Sequence, residues 1–410
     1  MDTRPGRLFA SDFHEGLGTW MLGYTPYGGG DFGEVAAVAS EVGDGDDDAF
    51  HAAWVALGDR LVAQADEAFE AGHVATASEV YLRASAAYAS ANHPLFGTPV
   101  DPRLLETHRR QRAAFEIGLG LRTVPAEVFD IPFEGARMRS YLVPAEGRES
   151  ERRPLIILVN GYDGTATDVY FASCVAAIRR GYHCLIFDGP GQGATLYEQG
   201  IALRPDFEAV IGGVIDHVSR HPIVDAERIV VSGWSLGGYL APRAATGDER
   251  IAACVADPGQ FDLGAGLGPF IRRLGATEEE ARDPLHLDDA ALERLMAVID
   301  VDRQLRWSVV QRGFWANGVT DLRAFLERTA EFSSRGRLDG IRCPVLLTRA
   351  ENDPLAAGVG AFADALASAG VPVTVIDFTA AEGAGGHCEM TNRSLLNRRV
   401  LDWLDDTLGA

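Results

Sequence analysis

The chain has 410 residues, 47% of them hydrophobic, enough to bury a large core. Its formal charge of -22 argues against a nucleic-acid partner, because phosphate binding needs clustered positive charge. No lysine occurs, all 37 basic residues being arginine, which excludes a lysine Schiff base and a Walker-type phosphate loop.

Residues Met1 to Gly6 lack the charged start and apolar run of an export signal, and no apolar stretch is long enough to cross a bilayer. A cytoplasmic protein with no membrane attachment is expected. Cys174, Cys184, Cys254, Cys343 and Cys388 form no C-x-x-C pair, so reduced, buried thiols are expected, with neither a disulfide framework nor a zinc site. No metal and no cofactor is called for.

The opening forty residues, with Gly28-Gly29-Gly30 and the acidic run Asp44 to Asp48 after them, read as a loose or docked arm. Phe50, Trp54, Leu57, Leu61 and Phe69 then recur at helical spacing. Gly72-His73 breaks that helix, and Val80, Tyr81, Ala84 and Tyr88 mark a second. The pair is a helical hairpin; a stacked repeat array would need about three copies, and only one is visible. Residues 1–125 are therefore expected to form an N-terminal helical segment, a candidate surface for a homodimer.

At residue 126 the pattern changes. Glu127 to Phe133 and Met138 to Val143 flank Glu134-Gly135-Ala136-Arg137 as a β-hairpin. Short apolar runs then alternate with helices: strands at Leu155, His183, Arg228, Ile251, Val345 and Val373, helices at 167–180 and 205–220, and a closing helix at 394–408. Apolar strands joined by helices predict a three-layer α/β domain over 126–410, built on a mostly parallel eight-stranded sheet. The interval 258–342 is helix-forming and separates two strands that should be neighbours. Its place after the Ile251 strand hangs it over the carboxyl ends of the strands, as a lid.

Gly233-Trp234-Ser235-Leu236-Gly237 follows the Arg228 strand and leads into a helix. A serine at such a strand-to-helix turn is a nucleophile elbow, its hydroxyl exposed above the sheet edge. The hydroxyl needs a base, and the base needs a carboxylate to hold its tautomer. Asp353 follows the Val345 strand and His387 lies in the loop after the Val373 strand, giving the order serine, acid, histidine. Taken singly, Asp353 could be a turn residue and His387 a solvated loop residue; Asp377, ending the last strand, is the competing acid. Asn160-Gly161-Tyr162-Asp163-Gly164 stands after the Leu155 strand, where backbone N–H groups of Tyr162 and Leu236 would form an oxyanion hole. Gly161, Asp163, Trp234 and the insertion aromatics Trp307, Phe314 and Trp315 are candidate contacts for a small-molecule substrate, although lid aromatics are more often core than ligand contacts. Asp188-Gly189-Pro190-Gly191-Gln192-Gly193 reads as a turn leaving the His183 strand.

Together these motifs resemble the α/β-hydrolase superfamily over about 126–410. The helical N-terminal segment, G-Y-D-G, D-G-P-G-Q-G, G-W-S-L-G-G and His387-Cys388 resemble the 2,6-dihydroxypseudooxynicotine hydrolase group, which includes the fungal hydrolases that shorten polyketides in pigment synthesis. The resemblance implies cleavage of a carbon-carbon bond beside a ketone on an aromatic substrate by Ser, His and Asp, in a site between the helical segment and the hydrolase domain. The long interval from Ser235 to Asp353 departs from that group and implies a larger lid. An auxiliary acidic residue is also implied, with Asp257 and Asp163 as candidates.

The triad is indifferent to the leaving group, so an esterase, a thioesterase or an acyl-transferring cyclase stays open beside carbon-carbon hydrolysis. A peptidase of the prolyl-oligopeptidase kind would need a propeller that 125 mostly helical residues cannot build. A catalytically silent fold used as a binding module is the reading from another class.

Overall fold

A computed structural model describes residues 7–162 and 164–409. Eight strands make one sheet: β1 (Glu127–Phe133), β2 (Ala136–Val143), β3 (Arg153–Val159), β4 (His183–Phe187), β5 (Val224–Trp234), β6 (Ile251–Asp257), β7 (Val345–Ala350) and β8 (Val373–Phe378). Their spatial order is β1-β2-β4-β3-β5-β6-β7-β8. The β1–β2 hairpin is antiparallel and joins β4 antiparallel; every pairing beyond β4 is parallel. This is the mostly parallel sheet that the alternation of apolar runs and helices predicted, in the α/β-hydrolase form that the motif resemblance implied.

The parallel strands are apolar on both faces because helices cover both. In β3, Ile156 and Leu158 enter one core while Leu155, Ile157 and Val159 enter the other, the period-two alternation of a strand. The second core is closed by helices Phe207–Val218, Gly237–Ala245 and Val359–Ser368. The first is closed by the helix Arg393–Leu408 and by the N-terminal helices. Each fully buried Leu, Ile or Phe contributes about 1.5–3 kcal/mol.

The N-terminal part holds α1 (Asp12–Gly18), a 3-10 segment (Trp20–Tyr27), α2 (Phe32–Val42), α3 (Asp47–Glu70), α4 (Val74–Asn92) and α5 (Pro102–Gly120). The opening arm is docked, with Met21 and Tyr24 buried in the core. The acidic run is a helix start: Asp46 caps α3 by accepting from the Ala49 N–H, and Asp47 and Asp48 occupy the first turn, where negative charge meets the positive end of the helix dipole. α5 extends the expected hairpin to three helices. It starts at a capping Asp101 with Pro102 next, and its arginines hide a periodic set of Leu104, Phe115 and Leu119, all buried.

Between β6 and β7 lie the helices Leu267–Arg273, Glu278–Arg282, Asp289–Val301 and Leu322–Ala330 and a π-helical stretch, Arg306–Phe314. They bury a small core of their own around Ile271, Leu295, Ile299 and Leu326. Among the described residues, no helix is long and apolar enough to cross a membrane.

Candidate active site

The carboxyl ends of β3, β5, β7 and β8 bring the singled-out side chains together. Ser235 follows the last residue of β5 with φ 55°, a left-handed conformation that a non-glycine residue holds only under constraint. The turn is tight: a Cβ on Gly233 would stand 2.0 Å from the Gly237 carbonyl oxygen. Strand and helix can approach this closely only because that position is glycine.

His387 Nε2 lies 2.9 Å from Ser235 Oγ, and His387 Nδ1 lies 2.7 Å from Asp353 Oδ2. A carboxylate only accepts, so Nδ1 carries the imidazole proton and Nε2 is left to accept from the serine hydroxyl. The Asp353 side chain is 1% exposed and its Oδ1 also accepts from the Leu355 N–H at 2.9 Å. Asp377, the competing acid, points elsewhere: it forms a two-point pair with Arg349 at 2.6 and 3.1 Å and is 59% exposed. That hydrogen-bonded guanidinium holds the Asp377 carboxyl below its ordinary range.

Gly161 brings the β3 loop against the serine; a Cβ there would meet Ser235 Cβ at 2.9 Å. Tyr162 follows it, and Leu236 follows Ser235 at the start of the helix Gly237–Ala245. The D-G-P-G-Q-G stretch does more than turn. Gln192 Nε2 donates to the carbonyls of Asn160 and Gly161 at 2.9 and 3.1 Å, which fixes how the peptide units of that loop face. Asp188 accepts from the Ala166 and Ala194 N–H groups, and burial raises its carboxyl to about 6. Asp163 lies outside the described residues.

The N-terminal arm supplies a residue that the sequence did not single out. The Trp20 ring lies 6.2 Å from the His387 ring and 5.9 Å from Trp234. Its indole N–H donates to the Tyr24 hydroxyl at 3.0 Å, and Tyr24 donates to Asp168 at 2.9 Å. Trp234 in turn donates to Asn160 Oδ1 at 2.9 Å. The arm's indole thus lies against both the His387 ring and the elbow's indole, a signal invisible in a segment without periodicity.

Two of the three insertion aromatics belong to one wall. Trp307 stacks on Phe96 at 6.1 Å and donates to the His93 carbonyl at 2.7 Å, while Trp315 stacks on Tyr197 at 5.2 Å and leans on Phe96. Tyr162 packs against this cluster, and its hydroxyl is met by Asn317 and by the Gly313 carbonyl. Phe314 corrects the grouping: it faces the insertion's own core, 5.7 Å from Phe325. It adjoins Trp315 in sequence and so points about 100° away around the helix axis.

Glu389 and Cys388, directly after His387, are buried with φ 49° and 52°. Burial, then the neighbouring Asp257, pushes the Cys388 thiol well above its ordinary range, so it stays a weak nucleophile although Sγ lies 3.4 Å from His387 Nε2. Burial, then Asp257, likewise pushes Glu389 up to about 11, keeping it neutral beside Asp257. Unfolded, a glutamate ionises near pH ~4.3, so between these values the unfolded chain has released a proton that the folded chain keeps, and stability falls as pH rises. Glu389→Gln cannot titrate. Its melting temperature is expected to gain on wild type as pH is raised from about 5 to about 9; parallel curves would show that Glu389 ionises in place.

Among the described residues no group of three or more His, Cys, Asp or Glu is arranged to hold a metal ion.

The alpha/beta hydrolase family model matches residues 156–395. The chain is 31% identical over 425 residues to the hydrolase LUC6 of Fusarium sp, with 98% of each chain covered. It is 29% identical over 422 residues to the 20-hydroxy-prefusarin hydrolase FUS2 of Gibberella moniliformis, again covering 98% of each. Among solved structures, the 2,6-dihydroxy-pseudo-oxynicotine hydrolase superposes with a TM-score of 0.69 at 21% identity, covering 94% of this chain and 95% of that one.

Proposed function

This chain belongs to the alpha/beta hydrolase family, and on that premise we propose that it is a serine hydrolase acting on a ketone or ester carbonyl of an aromatic or polyketide-like small molecule, by carbon-carbon bond hydrolysis through an acyl-enzyme. The observation that carries the reading is the unbroken hydrogen-bonded series Ser235, His387, Asp353, at 2.9 and 2.7 Å, with the Trp20 indole beside His387.

Ser235 Oγ attacks the carbonyl carbon as His387 Nε2 takes its proton, and Asp353 keeps the proton on Nδ1 and stabilises the imidazolium. The oxyanion is held by the N–H groups of Tyr162 and Leu236, each such donor being worth ~10²- to 10³-fold in rate. Collapse breaks the bond to a carbon whose electron pair is delocalised into an arene or an enolate, and the imidazolium protonates that carbon. Water, deprotonated by His387, then attacks the acyl-enzyme and releases a carboxylic acid and the free serine.

Flat indoles suit an aromatic substrate, which supports this class over aliphatic esters. The helices of 1–125 and the hydrolase domain of 126–410 would then enclose the substrate, with 258–342 as the lid carrying Trp307 and Trp315, and Gly161 and Asp163 at its reacting end. The same reading has the protein working in the cytoplasm, with the helical segment as a candidate dimer face.

The test is mass spectrometry of products from aryl β-diketones, polyketide lactones and simple aryl esters, beside fluorophosphonate labelling. An acid plus a shortened arene or ketone supports carbon-carbon hydrolysis. Turnover of esters alone assigns an esterase or thioesterase, and a cyclised product assigns an acyl-transferring cyclase. Native protein that takes no label on Ser235 is a binding protein instead.

A further inference from the structure

Behind the serine, a set of buried charges joins the elbow at Ser235, the strand β7 that leads to Asp353 and the turn after His387. Asp257, the last residue of β6, is 4% exposed, and Arg393, the first residue of the closing helix, is 1% exposed. The Asp257 main-chain carbonyl accepts from the Ser235 N–H at 2.6 Å and from the Cys388 thiol at 3.7 Å. Its carboxylate accepts from the Thr348 hydroxyl of β7 at 2.8 Å through Oδ1 and from Arg393 Nη1 at 2.9 Å through Oδ2. Arg393 Nη1 also donates to the Cys388 carbonyl at 2.6 Å, and Nη2 donates to Ser173 Oγ at 2.9 Å. Asp257 therefore touches the elbow, the strand that leads to Asp353, and the residue after His387.

Stability alone does not call for this arrangement, since a buried ion pair is often no better than apolar side chains of equal volume. What it does provide is a fixed geometry. Cys388 and Glu389 hold left-handed backbone, and strain of that kind lasts only where the surroundings over-determine it. Arg393, gripping the Cys388 carbonyl from its seat on Asp257, is the contact that does so. Neutral Glu389 beside Asp257 adds no second negative charge to oppose the pair.

We propose that Asp257 and Arg393 are a positioning pair for the triad, tying the main chain at Ser235 and Cys388 to one buried ion pair so that Ser235 Oγ and the His387 ring keep their hydrogen-bonded separation. They touch no reacting atom and act through the backbone at residues 235 and 388. The inference rests on the serine-hydrolase reading above.

Asp257→Asn keeps the side-chain shape and removes the charge that seats Arg393. With p-nitrophenyl acetate as the probe, kcat is expected to fall on the order of tenfold or more while KM stays within about twofold, because a displacement near 1 Å can cost ~10²-fold and no substrate contact is altered. The rate of fluorophosphonate labelling at Ser235 falls in parallel. A folded variant with wild-type kcat overturns the proposal, and so does a lowered melting temperature at unchanged kcat, which assigns the pair to stability alone. Should Asp257→Asn fail to fold, Thr348→Val removes one hydrogen bond to the same carboxylate at equal volume: a severalfold loss of kcat at constant KM supports the pair, and unchanged kcat rejects it. Wild-type protein that neither hydrolyses the ester nor takes the label rejects the serine-hydrolase reading itself.

Discussion

Ser235→Ala is expected to reduce turnover by about 10⁶-fold, the loss seen when a triad serine is removed from a hydrolase whose oxyanion hole stays intact. Residual rate comes from the oxyanion donors and binding, which the substitution leaves in place. The fold is expected to persist. The hydroxyl's hydrogen bond is to His387, whose side chain is 31% exposed and can take a water instead. Alanine also replaces serine in the turn without adding volume against Gly161, where space is shortest. The measurement is product formation beside a thermal melt. A variant within tenfold of wild type would remove Ser235 from the reaction; a variant that is inactive and also unfolded would say nothing of chemistry, which is why the melt is part of the test.

The sheet was legible because burial on both faces leaves each parallel strand an apolar run bounded by polar turns, as in Leu155 to Val159 and Val345 to Thr348. Ser235, Asp353 and His387 were legible for a related reason: each sits where a strand ends, and strand ends on one side of a sheet share a rim. What stayed hidden depends on contacts far apart in sequence. Trp20 meets His387 only after the arm docks, through Tyr24 and Asp168, and no local periodicity marks such a pairing. Arg393 looks like any arginine at a helix start until β6 places Asp257 beside it. α5 escaped because four arginines dilute its apolar stripe, and Phe314 adjoins Trp315 in sequence although its phase on the helix turns it into the insertion's own core.

Asp353→Asn is expected to lower kcat by up to ~10⁴-fold, and the reason lies in what the amide is allowed to do. One carboxylate oxygen accepts from the Leu355 N–H, a donor that the Asn oxygen must satisfy in turn. With the oxygen so engaged, the amide NH2 faces His387 Nδ1 and donates to it. The imidazole then shifts its proton to Nε2, which presents a donor to the serine hydroxyl in place of the acceptor it needs. Asp377→Asn is the control: its exposed carboxylate serves Arg349, and turnover within about twofold of wild type is expected, the usual range for a change in a surface ion pair. Measured side by side, a large loss at 353 with none at 377 assigns the acid to the β7 loop; the reverse pattern would transfer the role to the end of β8, and equal small effects would mean that histidine finds its tautomer without a carboxylate.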